Sequence, residues 1–320
     1  MQTIIGKDLN EAKILLQRNE VVGIPTETVY GLAANALNPE AVLKIFTVKE
    51  RPHFDPLIVH THSIAEIEKY VSDFPAKARL LLEKFSPGPL TVLLKKKMLI
   101  LDLVTSGLDT VAIRIPSQQL NLQLLQQLDF PLAAPSANPF GYISPTSAAH
   151  VHDQLKDKVP YILDGGLCEV GVESTIVGFE KDQAIVYRLG GLSLEELESV
   201  AGKVVVMTND SSNPQAPGLL KSHYAPKTTF RIIDKSELSQ MQERNNFAVI
   251  CFNECFPEIE KERQYLLSES GDLGEAAKKL FAVMRQLDQL NLDEIVTIKF
   301  PDIGLGKAIN DSLRRAAAGH

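Results

Sequence analysis

Between residues 208 and 218 the chain reads Thr-Asn-Asp-Ser-Ser-Asn-Pro-Gln-Ala-Pro-Gly, and there its hydrophobic patterning stops. The stretch is polar, rich in Pro and Ser, and aperiodic, which is linker chemistry rather than that of a packed element. On either side, short apolar runs alternate with amphipathic ones, and each side is long enough to bury a core of its own. The chain is therefore expected to fold as two α/β units, residues 1–207 and 229–320, joined by a linker or lid at 208–228. A composition of 44% hydrophobic and 23% charged residues excludes collagen, coiled coil and intrinsic disorder.

In the first unit Asp8-x-x-Glu11 reads as a capping box opening a helix striped by Ala12, Ile14, Leu15 and Leu16. Val21 to Ile24 reads as a strand stopped by Pro25. Asn38-Pro39 is an N-cap with Pro at the first helical position, opening a helix to about Lys49. Pro75 to Phe85 and Gln118 to Leu128 are further helices, while 57–59, 91–94, 111–115 and 132–134 are strands. Residues 175–177 and 184–187 suggest a hairpin. After the linker, strands at 229–233, 247–251 and 294–298 alternate with helices at 273–290 and 308–317, a largely parallel sheet.

The 33 basic and 40 acidic residues leave a net charge of −7, so no overall basic excess draws the protein onto nucleic acid. Three cysteines, Cys168, Cys251 and Cys255, are too few for a disulfide scaffold and fit a reducing cytoplasm. Met1 to Asp8 has no charged-then-apolar signal pattern, and no apolar run approaches the ~18 residues of a membrane span. Gly304-x-Gly306-Lys307 resembles a phosphate loop, but Pro301 occupies its first Gly position and Ala308 its Ser/Thr position. Cys251 and Cys255 lack the second ligand pair a zinc site needs, and no metal site is expected in the protein itself.

Polar residues gather where strands end. Pro25-Thr26-Glu27-Thr28-Val29-Tyr30-Gly31-Leu32 could orient a polar ligand, although a polar loop with a cap explains it more simply. Lys49 and Arg51 close a helix, where they complement its dipole or form a phosphate clamp stiffened by Pro52 and Pro56. Arg114 sits inside the apolar strand Ile113-Arg114-Ile115, a placement that calls for an anionic partner, structural or ligand. Ala134-Pro135-Ser136-Ala137-Asn138, Gly171-Val-Glu173-Ser174 and Tyr187-Arg188 repeat the pattern.

Taken together, PTETVYGL, KERPHFDPLIVH, SPGPLTVLL, VAIRIP, APSAN with ISPT, GVESTIV, YRLGG and APGLLKSHYAP make the chain resemble the YrdC-type threonylcarbamoyl-AMP synthases in their long, two-domain form. The segments fall in family order from residue 25 to 226. The resemblance implies a YrdC-like domain around a twisted mixed sheet and a smaller Rossmann-like C-terminal α/β domain. It implies condensation of L-threonine, bicarbonate and ATP to threonylcarbamoyl-AMP and pyrophosphate, for threonylcarbamoyladenosine modification of tRNA. Mg²⁺ would accompany ATP, proteins that transfer the group to tRNA would act downstream, and any contact with tRNA itself would be weak.

By the same resemblance, Thr28, His60, Arg114, the backbone of Ala134, and Ser174 would hold threonine. Lys49, Arg51, Asp55, Thr110, Ser136, Asn138, Ser144, Arg188 and Tyr224 would hold ATP, with Lys49 and Arg51 offsetting charge during reaction. Asp55 stands where the family commonly has Asn. No covalent nucleophile is implied; catalysis would be positioning and charge neutralisation. The segment 216–226, with Lys221, Tyr224 and Pro226, is expected to close over the nucleotide. An RNA-binding module without catalysis and a carbamoyl-phosphate-using transferase are the other classes considered. The acidic charge disfavours the first and the motif order the second.

Overall fold

The computed structural model describes every residue except 1, 182, 208–215, 218–222 and 320, with backbone alone at 242 and 243. Most of the linker, Lys221 included, lies outside the described residues. The first unit runs β1 (Ile4–Gly6), α1 (Leu9–Gln17), β2 (Val22–Ile24), β3 (Gly31–Asn35), α2 (Pro39–Lys49), β4 (Ile58–His60), α3 (Ile64–Tyr70), α4 (Ala76–Phe85), β5 (Leu90–Lys95) and α5 (Asp102–Thr105). It continues through β6 (Thr110–Arg114), α6 (Gln119–Gln126), β7 (Leu132–Ala133), α7 (Ala148–Leu155), β8 (Tyr161–Leu163), β9 (Thr175–Glu180), β10 (Gln183–Arg188), α8 (Leu194–Ala201) and β11 (Val205–Val206). The second comprises β12 (Thr229–Ile232), α9 (Lys235–Ser239), β13 (Phe247–Cys251), β14 (Gln264–Leu266), α10 (Leu273–Asp288), β15 (Glu294–Thr297) and α11 (Gly306–Ala317).

The larger sheet has the order β1-β8-β2-β3-β7-β4-β6-β5-β9-β10-β11 and mixes parallel with antiparallel pairs. The smaller, β12-β15-β13-β14, is wholly parallel, as alternating strands and helices require. Asn38 caps α2 by accepting from Ala41 N, with Pro39 at the first turn. Helix α2 then buries Ala41, Val42, Ile45 and Phe46 in the main core. Helix α10 buries Ala276, Ala277, Leu280, Phe281, Met284 and Leu287, a stripe at helical spacing. Each such large apolar side chain contributes about 1.5–3 kcal/mol. This second core also takes in Val29, Ile143 and Val172 from the first unit, so the two units share a packed seam.

Two local expectations are corrected. Asp8 caps α1 by accepting from Asn10 N and forms no reciprocal box with Glu11. The reciprocal box is at Ser193 and Glu196, opening α8. In addition, Gly31 to Asn35 is strand β3, not part of a loop, because it pairs antiparallel with both β2 and β7.

Candidate active site

Strand alternation and register build the centre of the site. Residues two apart share a face, and pairing sets His60 opposite Arg114 and Arg114 opposite Thr91, a polar row across β4, β6 and β5. One pleat away, Ile58, Ala112 and Leu93 form a parallel apolar row. Thr110 is two residues further along β6 and opens on a second cavity with Leu93, Gly178 and Tyr187. Ala216, from the linker, is fully buried on the apolar row.

A cleft opens over the polar row. Its wall holds Arg51, His60, Arg114, Ser136, Glu173 and Arg188, with Pro217 and His223 closing it from the linker. Arg114 is buried and held from three sides. It donates to Thr28 Oγ1 (2.8 Å) and to Gly88 O (3.3 Å), and its Nη2 lies 2.7 Å from Glu27 Oε1. Glu27 also accepts from Ser117 N, which fixes the carboxylate. A guanidinium so held can receive a ligand carboxylate without first being ordered.

The two helix-end cations do more than complement a dipole. Lys49 is 1% exposed and donates to Ser136 O (2.6 Å) and Asn138 O (2.5 Å), which ties the 136–138 loop to α2. Arg51 donates to Asp55 O and Pro56 O, and its Nη2 lies 2.8 Å from the Asp55 carboxylate. Asp55 is thus the counter-ion of Arg51. Burial, and then the neighbouring Arg51, lower the Lys49 pKa well below the usual lysine range.

Across the cleft, Arg188 donates to Ser174 O and Ser174 Oγ, both at 2.9 Å, and Ser174 Oγ lies 2.7 Å from Thr91 Oγ1. Ser144 Oγ donates to Glu173 Oε1 (2.9 Å), and Glu173 lies 3.7 Å from Arg188. Asn138 Nδ2 bridges Pro139 O and Tyr142 O, while its Oδ1 is buried without a hydrogen-bond partner. Ala134 N donates to Ile58 O, and Ala134 lines the cleft.

The structure therefore brings Arg51, His60, Arg114, Ala134, Ser136 and Arg188 to the cleft wall. Thr28, Lys49, Asp55, Ser144 and Ser174 stand behind it, fully buried or nearly so, as does Asn138. Tyr224 is 2% exposed, packed between His223 (4.1 Å between ring centroids) and Phe281 of α10 (5.2 Å); His223 takes the place at the wall. Glu27 and Glu173 were not singled out from the sequence; His223 falls in the segment read as the lid. The only hint available was a charged residue inside each strand-end motif.

The histidines are set for neutrality. Burial, then the Arg114 charge, lowers the His60 pKa to about 3, and its Nδ1 has no hydrogen-bond partner. Burial lowers His223 as well, followed by Arg51 and Lys49. The folded His60 value lies below that of the unfolded chain, so the unfolded state binds the extra proton between about pH 3 and 6.5. Stability from this group is complete above about pH 6.5 and falls by about 1.4 kcal/mol per pH unit as acid is added. Urea unfolding between pH 7.5 and 5 should show this slope, and His60→Gln should remove about one proton of it. An identical slope in that variant would exclude a buried neutral His60.

A family model described as "Telomere recombination" matches residues 14–190, and one described as "Threonylcarbamoyl-AMP synthase, C-terminal domain" matches 192–318. A Bacillus subtilis protein named threonylcarbamoyl-AMP synthase is 38% identical over 97% of this chain and 92% of its own. A Pyrococcus abyssi protein of the same name is 35% identical over 94% of this chain and 92% of its own. The crystal structure of P. abyssi Sua5 complexed with L-threonine superposes with a TM-score of 0.92, at 32% identity, covering 99% of this chain and 98% of that one.

Proposed function

The chain belongs to the threonylcarbamoyl-AMP synthase family, and from that membership we propose how its cleft works. It is a nucleotidyltransferase that condenses L-threonine, bicarbonate and ATP to threonylcarbamoyl-AMP and pyrophosphate, for tRNA modification. The observation that carries the assignment of the cleft is Arg114, a buried, pre-oriented cation beside a neutral His60, in a cleft also lined by Arg51 and Arg188.

Arg114 pairs with the threonine carboxylate, a charge-assisted contact of about 1.5–3 kcal/mol net. His60 Nδ1 accepts from the threonine amine, with Ala134, Thr28 and Ser174 fixing the surrounding pocket. The amine and bicarbonate form a carbamate with loss of water, and a carbamate oxygen then attacks the α-phosphate in line, breaking its bond to the β-phosphate bridge and expelling pyrophosphate. Arg51 and Arg188 offset the phosphate charge, and Lys49, Asp55, Asn138 and Ser136 hold the loops that bring them there. Ser144, Thr110 and Tyr224 complete the nucleotide side. The carbamate and the adenylate both hydrolyse, so the cleft works by excluding water as well as by neutralising charge.

Among the described residues no three His, Cys, Asp or Glu side chains cluster to hold a resident metal. One carboxylate, Glu173, lines the cleft, which fits a Mg²⁺ that arrives on ATP and keeps mostly phosphate and water ligands. Such an ion supplies charge neutralisation of the triphosphate. No helix among the described residues is long and apolar enough to cross a membrane, and all three cysteines are free. We place the protein in the cytoplasm, in keeping with its free cysteines, handing its product to proteins that carry the group to tRNA, with at most a weak tRNA contact of its own.

The segment through Pro217, His223 and Tyr224 is the lid of this site, supported by the Arg188 bond to Pro217 O and the burial of Ala216. Purified protein should release pyrophosphate from ATP only with threonine and bicarbonate present. Valine should be at least tenfold poorer, because a pocket built to bond the hydroxyl is left unpaired. The same ligands together should slow proteolysis between residues 208 and 226. Pyrophosphate release indifferent to threonine would overturn the function. Equal turnover with valine would overturn the pocket, and equal cleavage rates would overturn the lid.

A further inference from the structure

Helix α10 belongs to the second unit, yet it touches both loops that frame the nucleotide side of the cleft. Arg285, 5% exposed, donates through Nη2 to Ile143 O, through Nε to Ser144 O (3.2 Å), and through Nη2 to Gln154 Oε1 (2.9 Å). Its guanidinium lies over the Tyr142 ring at 5.3 Å. One turn on, Asp288 accepts from the Tyr142 hydroxyl and from Thr228 N. Toward the start of the helix, Gly171 rests against the α10 backbone. A Cβ there would stand 2.4 Å from Lys278 Cα and 2.6 Å from Ala277 O, and its φ of +77° also favours glycine. Gly171 leads directly into Val172 and Glu173, and Glu173 is the acceptor of Ser144 Oγ.

We propose that Arg285 is a positioning residue for the nucleotide side of the cleft: from α10 it holds the Ile143 and Ser144 carbonyls and so fixes where Ser144 and its partner Glu173 stand. A forked, planar cation suits three acceptors, two successive carbonyls and Gln154 Oε1, reached from two separate nitrogens; a lysine ammonium, with all its donors on one nitrogen, fits them less well. Burial lowers the Arg285 pKa to about 10, so the side chain stays charged at neutral pH. Threonine binding should be spared, because His60 and Arg114 sit on β4 and β6, and their recorded bonds involve neither loop. The second unit then serves as the back wall of the first unit's site, not as a separate activity. This inference rests on the reading that Ser144 and Glu173 serve ATP.

The test is a set of three variants of the full chain, Arg285→Met, Arg285→Lys and Ser144→Ala, assayed for the KM of ATP, the KM of threonine and thermal unfolding. Arg285→Met should raise the ATP KM at least tenfold, and Arg285→Lys at least threefold, with the threonine KM within twofold of wild type. Should Arg285→Met fail to fold, Arg285→Lys carries the test, because it keeps the charge while gathering its donors on a single nitrogen. A lowered melting temperature with an unchanged ATP KM in the folded Arg285 variant would make the residue structural only and overturn the inference. If Ser144→Ala also leaves the ATP KM unchanged, it is the nucleotide assignment that fails; if Ser144→Ala raises it and the Arg285 variants do not, the inference alone fails.

Discussion

Arg114→Ala will all but abolish threonine-dependent pyrophosphate release, with kcat/KM for threonine down at least a hundredfold, about 2.7 kcal/mol. Two losses combine. The substrate carboxylate loses its cation, and Glu27, 4% exposed and 2.7 Å from the guanidinium, is left as a buried charge without its counter-ion. Breaking a buried pair from one side costs about 3–5 kcal/mol of stability. The two effects separate in Arg114→Met/Glu27→Gln, where the stranded charge is gone. That double variant should regain most of the stability and none of the turnover. Denaturant midpoints and initial rates read the two quantities independently, and recovery of turnover with the double variant would remove Arg114 from threonine binding.

Arg51→Met should have the next largest effect. Its guanidinium is the cleft-facing half of a buried pair with Asp55, and it also donates to Asp55 O and Pro56 O, so its loss frees the turn between α2 and β4. The ATP KM should rise at least tenfold, about 1.4 kcal/mol, and stability should fall by about 3–5 kcal/mol. Adding Asp55→Asn removes the buried carboxylate charge and should restore more than half of that stability while the ATP KM stays raised. Wild-type ATP saturation in Arg51→Met would overturn the phosphate-clamp assignment, whatever happens to stability.

Elements whose signal is local were legible in the sequence. Helix α2 had both its Asn38 cap and its Pro39 start in view, strand β13 was a bare apolar run, and α10 showed a long stripe. Strand β3 was hidden because Thr26, Glu27, Thr28 and Gly31 made its start read as a loop, and its pairing partner β7 lies about a hundred residues away. The capping box at Ser193 was a readable signal passed over in favour of Asp8, whose short side chain bonds two residues ahead instead. The site was legible as a set of strand ends rich in polar groups. Periodicity says which face a residue occupies but not which distant residue meets it there. Glu27 and Arg114 are far apart in the chain, as are Ser144 and Glu173, and only the sheet register and the seam with α10 bring them together. Lys49 and Arg51 were read at the end of a helix as dipole partners or a phosphate clamp. Their burial follows from Ser136, Asn138 and Asp55, partners that spacing cannot announce.

The seam between α10 and the loops of the first unit also orders events during synthesis. Met207, which ends the first unit, leaves the ribosome 81 residues before Asp288 does, an interval of roughly 4–16 s at ~5–20 residues per second. Throughout that time the first unit can fold around its own core, with every arginine of the cleft already translated, but without the helix that seats Tyr142, Ser144 and Gly171. If α10 seats the nucleotide side as proposed, a chain truncated before α10 should bind ATP more weakly than the full chain.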